Sequence, residues 1–243
     1  MSYLTQNDLS KEDINRLIGS QAYRQSTHPD HNRLQTLVRD WFVKEYDKAT
    51  PNTPWVNLGD CLLVGEGNLS FARSLTDKPK TGVTGMVAST YETGNAVSDE
   101  ASKNAKHLKQ KGIAVLYGID ARKLEQKLKG IKFDTIIFQF PNVGSRDPKY
   151  GHNPNHILLR GFLKSAASYL KPDGRILVTT VNSPHYEGAF QVTEAAEFAG
   201  YKQPVSYSFD PDDFTGYVHT NTNDDDSALD NHAKFITWEF RLS

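Results

Sequence analysis

Apolar residues change their spacing once along this chain. Up to residue 58 they recur at helical intervals; beyond it, short unbroken apolar runs alternate with helical stretches. Ser10-Lys11-Glu12-Asp13 predicts a helix start, with Ile14, Leu17 and Ile18 as its apolar stripe. A polar stretch, Ser20 to Asn32, precedes a second helix over Arg33 to Tyr46, where Leu34, Leu37, Val38, Trp41, Phe42 and Tyr46 share one face. Pro51-Asn52-Thr53-Pro54 then breaks the chain.

From residue 60 strands and helices take turns. Cys61 to Val64 is uniformly apolar, as in a strand buried on both faces of a parallel sheet. It runs into Gly65-Glu66-Gly67, after which Asn68 or Ser70 is placed to cap a helix beginning near Phe71. Further strands are predicted over Val83–Ser89, Ile113–Tyr117, Phe133–Phe140, Arg175–Val181, Val205–Phe209 and Lys234–Arg241. Helices are predicted over Ser98–Lys111, Arg122–Lys129, from Pro154 with Leu158, Phe162, Ala166 and Leu170 in register, and over Ala189–Ala199. Lys171-Pro172-Asp173-Gly174 reads as a turn. The expected fold is α/β, a doubly wound, mostly parallel seven-stranded sheet with an N-terminal helical extension or lid over 1–58 and the main domain over 59–243. Asp210 to His232, with Asp224-Asp225-Asp226, has no clear element and reads as a solvated excursion.

Composition narrows the class. Net charge is −1, so global electrostatics do not announce a nucleic-acid binder. No apolar run reaches the length of about 18 residues that a membrane helix needs, and Met1 to Ser10 lacks the order of a signal peptide. The single cysteine, Cys61, excludes an intrachain disulfide and a cysteine-rich zinc site. These features read as a soluble, cytoplasmic protein.

Ligands of doubly wound sheets sit beyond the carboxyl ends of the strands. Three such ends carry suggestive residues: Gly65-Glu66-Gly67 with Asn68 and Ser70; Tyr91 and Glu92, whose carboxylate suits ribose hydroxyls; and Asp120 with Ala121, placed for an adenine amino group. Together they argue for an adenosine-bearing cofactor. The dinucleotide fingerprint lacks its third glycine, which favours S-adenosylmethionine over NAD or FAD. The fourth strand ends in Phe138-Gln139-Phe140-Pro141-Asn142-Val143-Gly144, where an amide, an aromatic ring and a proline suit a planar substrate.

The residues Leu62-Leu63-Val64-Gly65-Glu66-Gly67-Asn68-Leu69-Ser70-Phe71, the Phe138 to Gly144 segment and the Leu158 to Leu170 helix resemble the Rossmann-like domain of the large-subunit rRNA uridine-N3 methyltransferase family. Its pattern runs Leu-Leu-Val-Gly-Glu-Gly-Asn-Phe-Ser-Phe and later Phe-Asn-Phe-Pro-His-x-Gly; Tyr217 and His219 resemble a further Gly-Tyr-x-His signature. The resemblance spans roughly 60 to 240. It implies a class I methyltransferase with S-adenosylmethionine on Gly65, Glu66, Gly67 and Asp120. The departures, Gln139 for asparagine, Asn142 for histidine, Val181 for lysine and a loose echo at Pro184, His185, Tyr186 and Phe190, fall on the substrate side.

Cofactor contacts are therefore expected from Gly65, Glu66, Gly67, Asn68, Ser70, Tyr91, Glu92, Asp120, Ala121, Gln139, Phe140 and Pro141, with no metal. Chemistry is expected from His219, Gln139 and Asn142. A uridine N3 must shed its proton, and His219 ranks ahead of His185 and His156 as the base because the signature includes it. The leading function is methylation of a uridine-like base in RNA. A small heterocycle or nucleoside as acceptor, favoured by the balanced charge and the altered substrate motif, is the second, and a non-catalytic S-adenosylmethionine-binding module the third. The lysines and arginines between Lys103 and Lys132 suit a phosphate-facing patch but read more simply as solvated helix faces.

Overall fold

The computed structural model describes residues 9–48, 53–144, 147–149, 151–182, 184–219 and 234–243, without the side chains of 11, 39–40, 42–48 and 184–186. The expected roles of Phe42, Tyr46, Pro184, His185 and Tyr186, the start of the proline break at Pro51 and Asn52, and Asp224-Asp225-Asp226 thus lie outside the described residues. The chain divides into two compact units, residues 1–52 and 53–243.

The first unit holds α1 (Lys11–Gly19), α2 (Gln21–Arg24) and α3 (His31–Lys48). Ser10 and Asp13 close a capping box on α1, each side chain bonding the other's backbone N–H. Ile14, Val38 and Trp41 form a small core, and the Trp41 indole donates to the Leu9 carbonyl at 2.8 Å. The polar stretch after Ser20 contains one helical turn, α2, because Ser20 caps it through the Tyr23 N–H.

The second unit is a seven-stranded sheet: β1 (Gly59–Val64), β2 (Val83–Ser89), β3 (Ala114–Leu116), β4 (Phe133–Gln139), β5 (Leu170–Val181), β6 (Val205–Phe209) and β7 (Phe235–Phe240). Their order is β3-β2-β1-β4-β5-β7-β6, all parallel except β7, which runs antiparallel to β5 and β6. Helices α4 (Ser70–Asp77), α5 (Asp99–Gln110), α6 (Pro154–Ala166), α7 (Pro184–Phe190) and α8 (Val192–Ala199) complete it. Alternate residues of a strand face opposite sides. Leu62, Val64, Ile136 and Phe138 join Phe162 and Ala195 in one core layer, whereas Cys61, Leu63, Ile137 and Leu177 join Phe71, Leu75 and Leu108 in the other. Cys61 is core packing, its thiol pushed up to about 12 by burial. Trp55 and Leu58 belong to the second layer, Trp55 meeting Phe71, Phe209 and Phe214 edge-on.

Four local expectations are corrected. The segment expected as a helix from Arg122 is a 3₁₀ stretch, Ala121–Gln126, broken by non-helical backbone at Lys123. The α6 helix ends at Ala166, and Leu170 opens β5 instead of continuing the helical stripe. Lys171 to Gly174 is no tight turn but a bulge inside β5: Leu170 pairs with Phe133 and Arg175 with Thr135, so four residues stand opposite Asp134. Lys171 fills that bulge, bonding Asp60 at 2.6 Å and Asp134 at 2.8 Å. The expected Ala189–Ala199 helix is two helices, parted by Gln191 at φ +45°.

Candidate active site

The strand order reverses between β1 and β4, and at the carboxyl ends of the strands there lies a cavity of about 370 Å³. That volume is within the range of about 300–1,000 Å³ usual for small-molecule sites. Its walls are the β1, β2, β3 and β4 ends together with Leu158 of α6 and Tyr217 to His219.

The β1 end is shaped by Gly65, whose φ of +67° and crowding against Phe138 (a Cβ there would sit 2.5 Å from ring carbon Cε2) admit no other residue without strain. Glu66 N–H donates to the Ser89 carbonyl, tying the bend to β2. The helix cap differs from the expected one. Leu69, in left-handed geometry, is the N-cap of α4; Asn68 Oδ1 accepts from Ser70 N–H at 3.0 Å, and Glu66 Oε2 accepts from Ala72 N–H at 3.0 Å. The Glu66 carboxyl is buried, and burial raises its pKa to about 7.

Ser70 does different work. Its Oγ accepts from Val218 N–H at 3.0 Å and donates to the Val218 carbonyl at 2.9 Å, a carbonyl that also accepts from Asn68 Nδ2 at 2.9 Å. These three bonds strap residues 217–219 across the bend. Ser70 does not line the cavity; Asn68 does so while holding the strap. Half-buried Tyr217 lies edge-on to Phe71, and desolvation of its phenol pushes the pKa well above the usual range; its hydroxyl is 3.3 Å from His219 Nδ1.

At the next two strand ends, Gly118 N–H donates to the Glu92 carbonyl and Ile119 N–H to that of Thr90, holding the loops side by side. Tyr91, 62% exposed, and Glu92 form one lip. Asp120 caps the 3₁₀ stretch and grips Arg122: Oδ1 accepts from Arg122 N and Nε at 2.9 Å each, Oδ2 from Nη2 at 2.8 Å. The Arg122 hydrogen bonds hold its carboxyl below the usual range. One acceptor site on Oδ2 remains for a further donor.

The β4 end carries the most informative group. Among the buried side-chain atoms of the described residues, both Oε1 and Nε2 of Gln139 lack a hydrogen-bond partner, although Gln139 lines the cavity. An orphaned buried amide costs about 1–3 kcal/mol per unmet group, and from the cavity wall both of its polar atoms can take a partner that enters the cavity. Phe140 follows at φ +46°, an unusual backbone for a bulky residue, held by its N–H to the Thr179 carbonyl and by edge contacts to His219, Phe209 and Phe235. Pro141 and Asn142 complete this wall; the Asn142 amide oxygen accepts from Gly144 N–H, so it shapes its own loop.

Of the residues expected from sequence, Gly65, Glu66, Gly67, Asn68, Tyr91, Glu92, Asp120, Ala121, Gln139, Phe140, Pro141, Asn142 and His219 all line this one cavity. His156 does not: it is buried on another face of α6, with Nδ1 2.8 Å from the Phe190 carbonyl. Sequence reasoning missed Phe71, Ile119 and Leu158, whose apolar character read only as core, and Arg122, whose place two residues after a capping Asp was the available signal; Phe138 and Val143 belong to the strand-end segment expected to hold a planar substrate.

A mostly parallel sheet in this order, with its last-added strand antiparallel and a cavity over the β1 and β4 tips, is the class I methyltransferase fold. The family described as "BMT5-like: rRNA (uridine-N3-)-methyltransferase BTM5-like" matches residues 62–221. The chain belongs to that family. Among curated relatives, the ferredoxin-fold anticodon-binding domain-containing protein 1 homolog of Mus musculus is 38% identical over 124 residues, 49% of this chain and 19% of that protein. The tRNA (guanine-N(7)-)-methyltransferase of Deinococcus radiodurans is 31% identical over 153 residues, 60% of this chain and 42% of its own. This chain thus spans a minor part of either protein. The DhpI-SAH complex superposes over 97% of this chain and 99% of its own with a TM-score of 0.46 and 13% identity, too loose a likeness to bear on function.

Proposed function

We propose that this protein is an S-adenosylmethionine-dependent methyltransferase that methylates a uridine-like base in RNA. Family membership supports the reaction class, and the unpartnered Gln139 amide on the cavity wall is the observation that carries the acceptor. No helix among the described residues is long and apolar enough to cross a membrane.

The bound cofactor supplies an electrophilic methyl group on a sulfonium. In this reading the Gly65–Gly67 bend and Asn68 take its amino-acid end, Glu92 accepts from the ribose hydroxyls, and the open site on Asp120 Oδ2 accepts from the adenine amino group, with Tyr91 and Ala121 against the ring. Phe140 and Pro141 flank the acceptor base. Gln139 Nε2 donates to a base carbonyl oxygen, where negative charge grows as the neighbouring N3 loses its proton. His219 takes that proton. In the tautomer whose Nδ1–H donates to Tyr217 Oη, Nε2 is the basic nitrogen. The protein otherwise acts by holding two reactants in line.

The test is methyl transfer to uridine-containing RNA, with digestion to nucleosides to find N3-methyluridine. Gln139→Leu, close to isosteric, should lower kcat/KM by about 10²–10³, the usual cost of one lost charge-stabilising donor, with S-adenosylhomocysteine affinity kept. Wild-type rates on that RNA retained by Gln139→Leu would refute the assigned role. Free uridine methylated as well as RNA would transfer the assignment to a small-molecule acceptor.

A further inference from the structure

A second concavity, of about 560 Å³, lies between α6 and the α7–α8 pair; His152, Asn153, His156, Arg160, Glu194 and Phe198 line it. It begins where the loop from the cavity wall ends. Asn142 and Val143 line the cavity, Val143 N–H donates to Asn155 Oδ1 in the first turn of α6, and His152 and Asn153 just before that turn line the groove. Leu158 faces the cavity and His156 the groove, as expected for residues two apart on a helix, about 200° around its axis.

The groove presents a stacked cation with free donors. The Arg160 guanidinium lies 3.4 Å over the Phe198 ring, which is 53% exposed, and Lys164 Nζ stands 5.8 Å from the same ring. Among the described residues Arg160 has no hydrogen-bond or ion-pair partner, so stacking fixes its plane while its donor fork stays available. A pre-oriented fork of this kind suits the bidentate geometry of a phosphodiester. Asn153 uses Oδ1 to cap α6, which leaves its amide N–H groups as donors. The groove also offers acceptors, Glu194 from α8 and His156 from α6 itself. Glu194 is exposed, and His156, 2% exposed, has its Nδ1 on the Phe190 carbonyl, which makes Nε2 a lone-pair nitrogen. A carboxylate lining the same groove as the guanidinium disfavours a dense polyanion and favours an anion that also carries a hydroxyl donor. A ribonucleotide has both: phosphate for Arg160 and 2′-hydroxyl for Glu194.

The geometry points to a subsite in which this groove binds one ribonucleotide flanking the target base, its phosphodiester on Arg160 and Asn153 and its 2′-hydroxyl on Glu194. The inference rests on the RNA reading of the cavity. Fluorescence anisotropy of a labelled oligouridylate, and of its deoxy counterpart, tests it across a salt series, with methyl transfer and S-adenosylhomocysteine binding measured on the same preparations. Arg160→Ala should weaken RNA binding about five- to tenfold and flatten the slope of log affinity against log salt by about 0.7, one phosphate contact on a single strand, leaving cofactor affinity unchanged. Arg160→Lys should weaken binding while keeping the slope, and Glu194→Ala should narrow the preference for RNA over DNA. Wild-type affinity and slope in Arg160→Ala, with RNA still methylated, would overturn the subsite alone. Absence of RNA binding by the wild-type protein at low salt would overturn the RNA reading and the subsite together.

Discussion

Replacing Ser70 by alanine removes one oxygen atom and two of the three bonds that strap residues 217–219 to the segment after the Gly65–Gly67 bend. The Val218 carbonyl keeps Asn68 Nδ2, so the group left without its partner is the Val218 N–H. At about 0.5–1.5 kcal/mol net per hydrogen bond, the strap should lose about 1–2 kcal/mol, partly offset by water because Val218 is 62% exposed. That is a roughly 5- to 30-fold larger opening constant for the segment carrying Tyr217 and His219. Helix α4 should be spared, since Ser70 N–H still donates to Asn68 Oδ1. Amide hydrogen exchange reads the effect directly: protection at Val218 should fall by that factor, while the melting temperature drops by only a few degrees, at about 2–4 °C per kcal/mol for a domain this size. Unchanged exchange at 217–219, or a loss confined to cofactor affinity, would refute the strap and return Ser70 to the cofactor-contact role its sequence position suggests.

Burial lifts the Glu66 pKa from an unfolded value near 4.5 to about 7, so between those values the folded state binds the extra proton and stability falls as pH rises. Glu66→Gln retains an acceptor for the Ala72 N–H; its unfolding free energy should be flat over this window and exceed the wild type's above pH 7, by roughly 3 kcal/mol at most, in urea titrations at several pH values. A parallel pH dependence in both proteins would contradict this. Gly65→Ala places a Cβ 2.5 Å from the Phe138 ring at φ +67°; left-handed strain and overpacking together should cost about 2–5 kcal/mol, read from the urea midpoint, and wild-type stability would rule it out.

Much of the fold was legible because its strands are short apolar runs between helical patterns. Val205–Phe209 and Val83–Ser89 fall where the periodicity puts them, and Asn153 with Pro154 marks the start of α6. What escaped was set by tertiary partners. Lys171 to Gly174 carries turn residues, yet Leu170 and Arg175 both pair with β4, so the four residues bulge out of one strand instead of reversing the chain. Gln191 breaks the expected single helix with no glycine or proline to announce it. At the site, position at strand ends was legible but the direction of side chains was not. Ser70 turns to Val218, Asn142 to its own loop, and Asp120 to Arg122, partnerships that depend on loops meeting across 148 residues for Ser70 and on a local Asp-x-Arg clasp for Asp120.

In the function proposed above, the cavity over the β1 and β4 tips holds S-adenosylmethionine. Calorimetric titration of S-adenosylhomocysteine into wild type, Gly67→Arg and Asp120→Ala measures this most directly, since Gly67 is exposed and lines the cavity. One site per wild-type chain is expected, with no binding by Gly67→Arg at an unchanged melting temperature, and affinity about tenfold weaker in Asp120→Ala, the loss of about one charge-assisted hydrogen bond. No heat of binding with the wild-type protein, or wild-type affinity in Gly67→Arg, would contradict it.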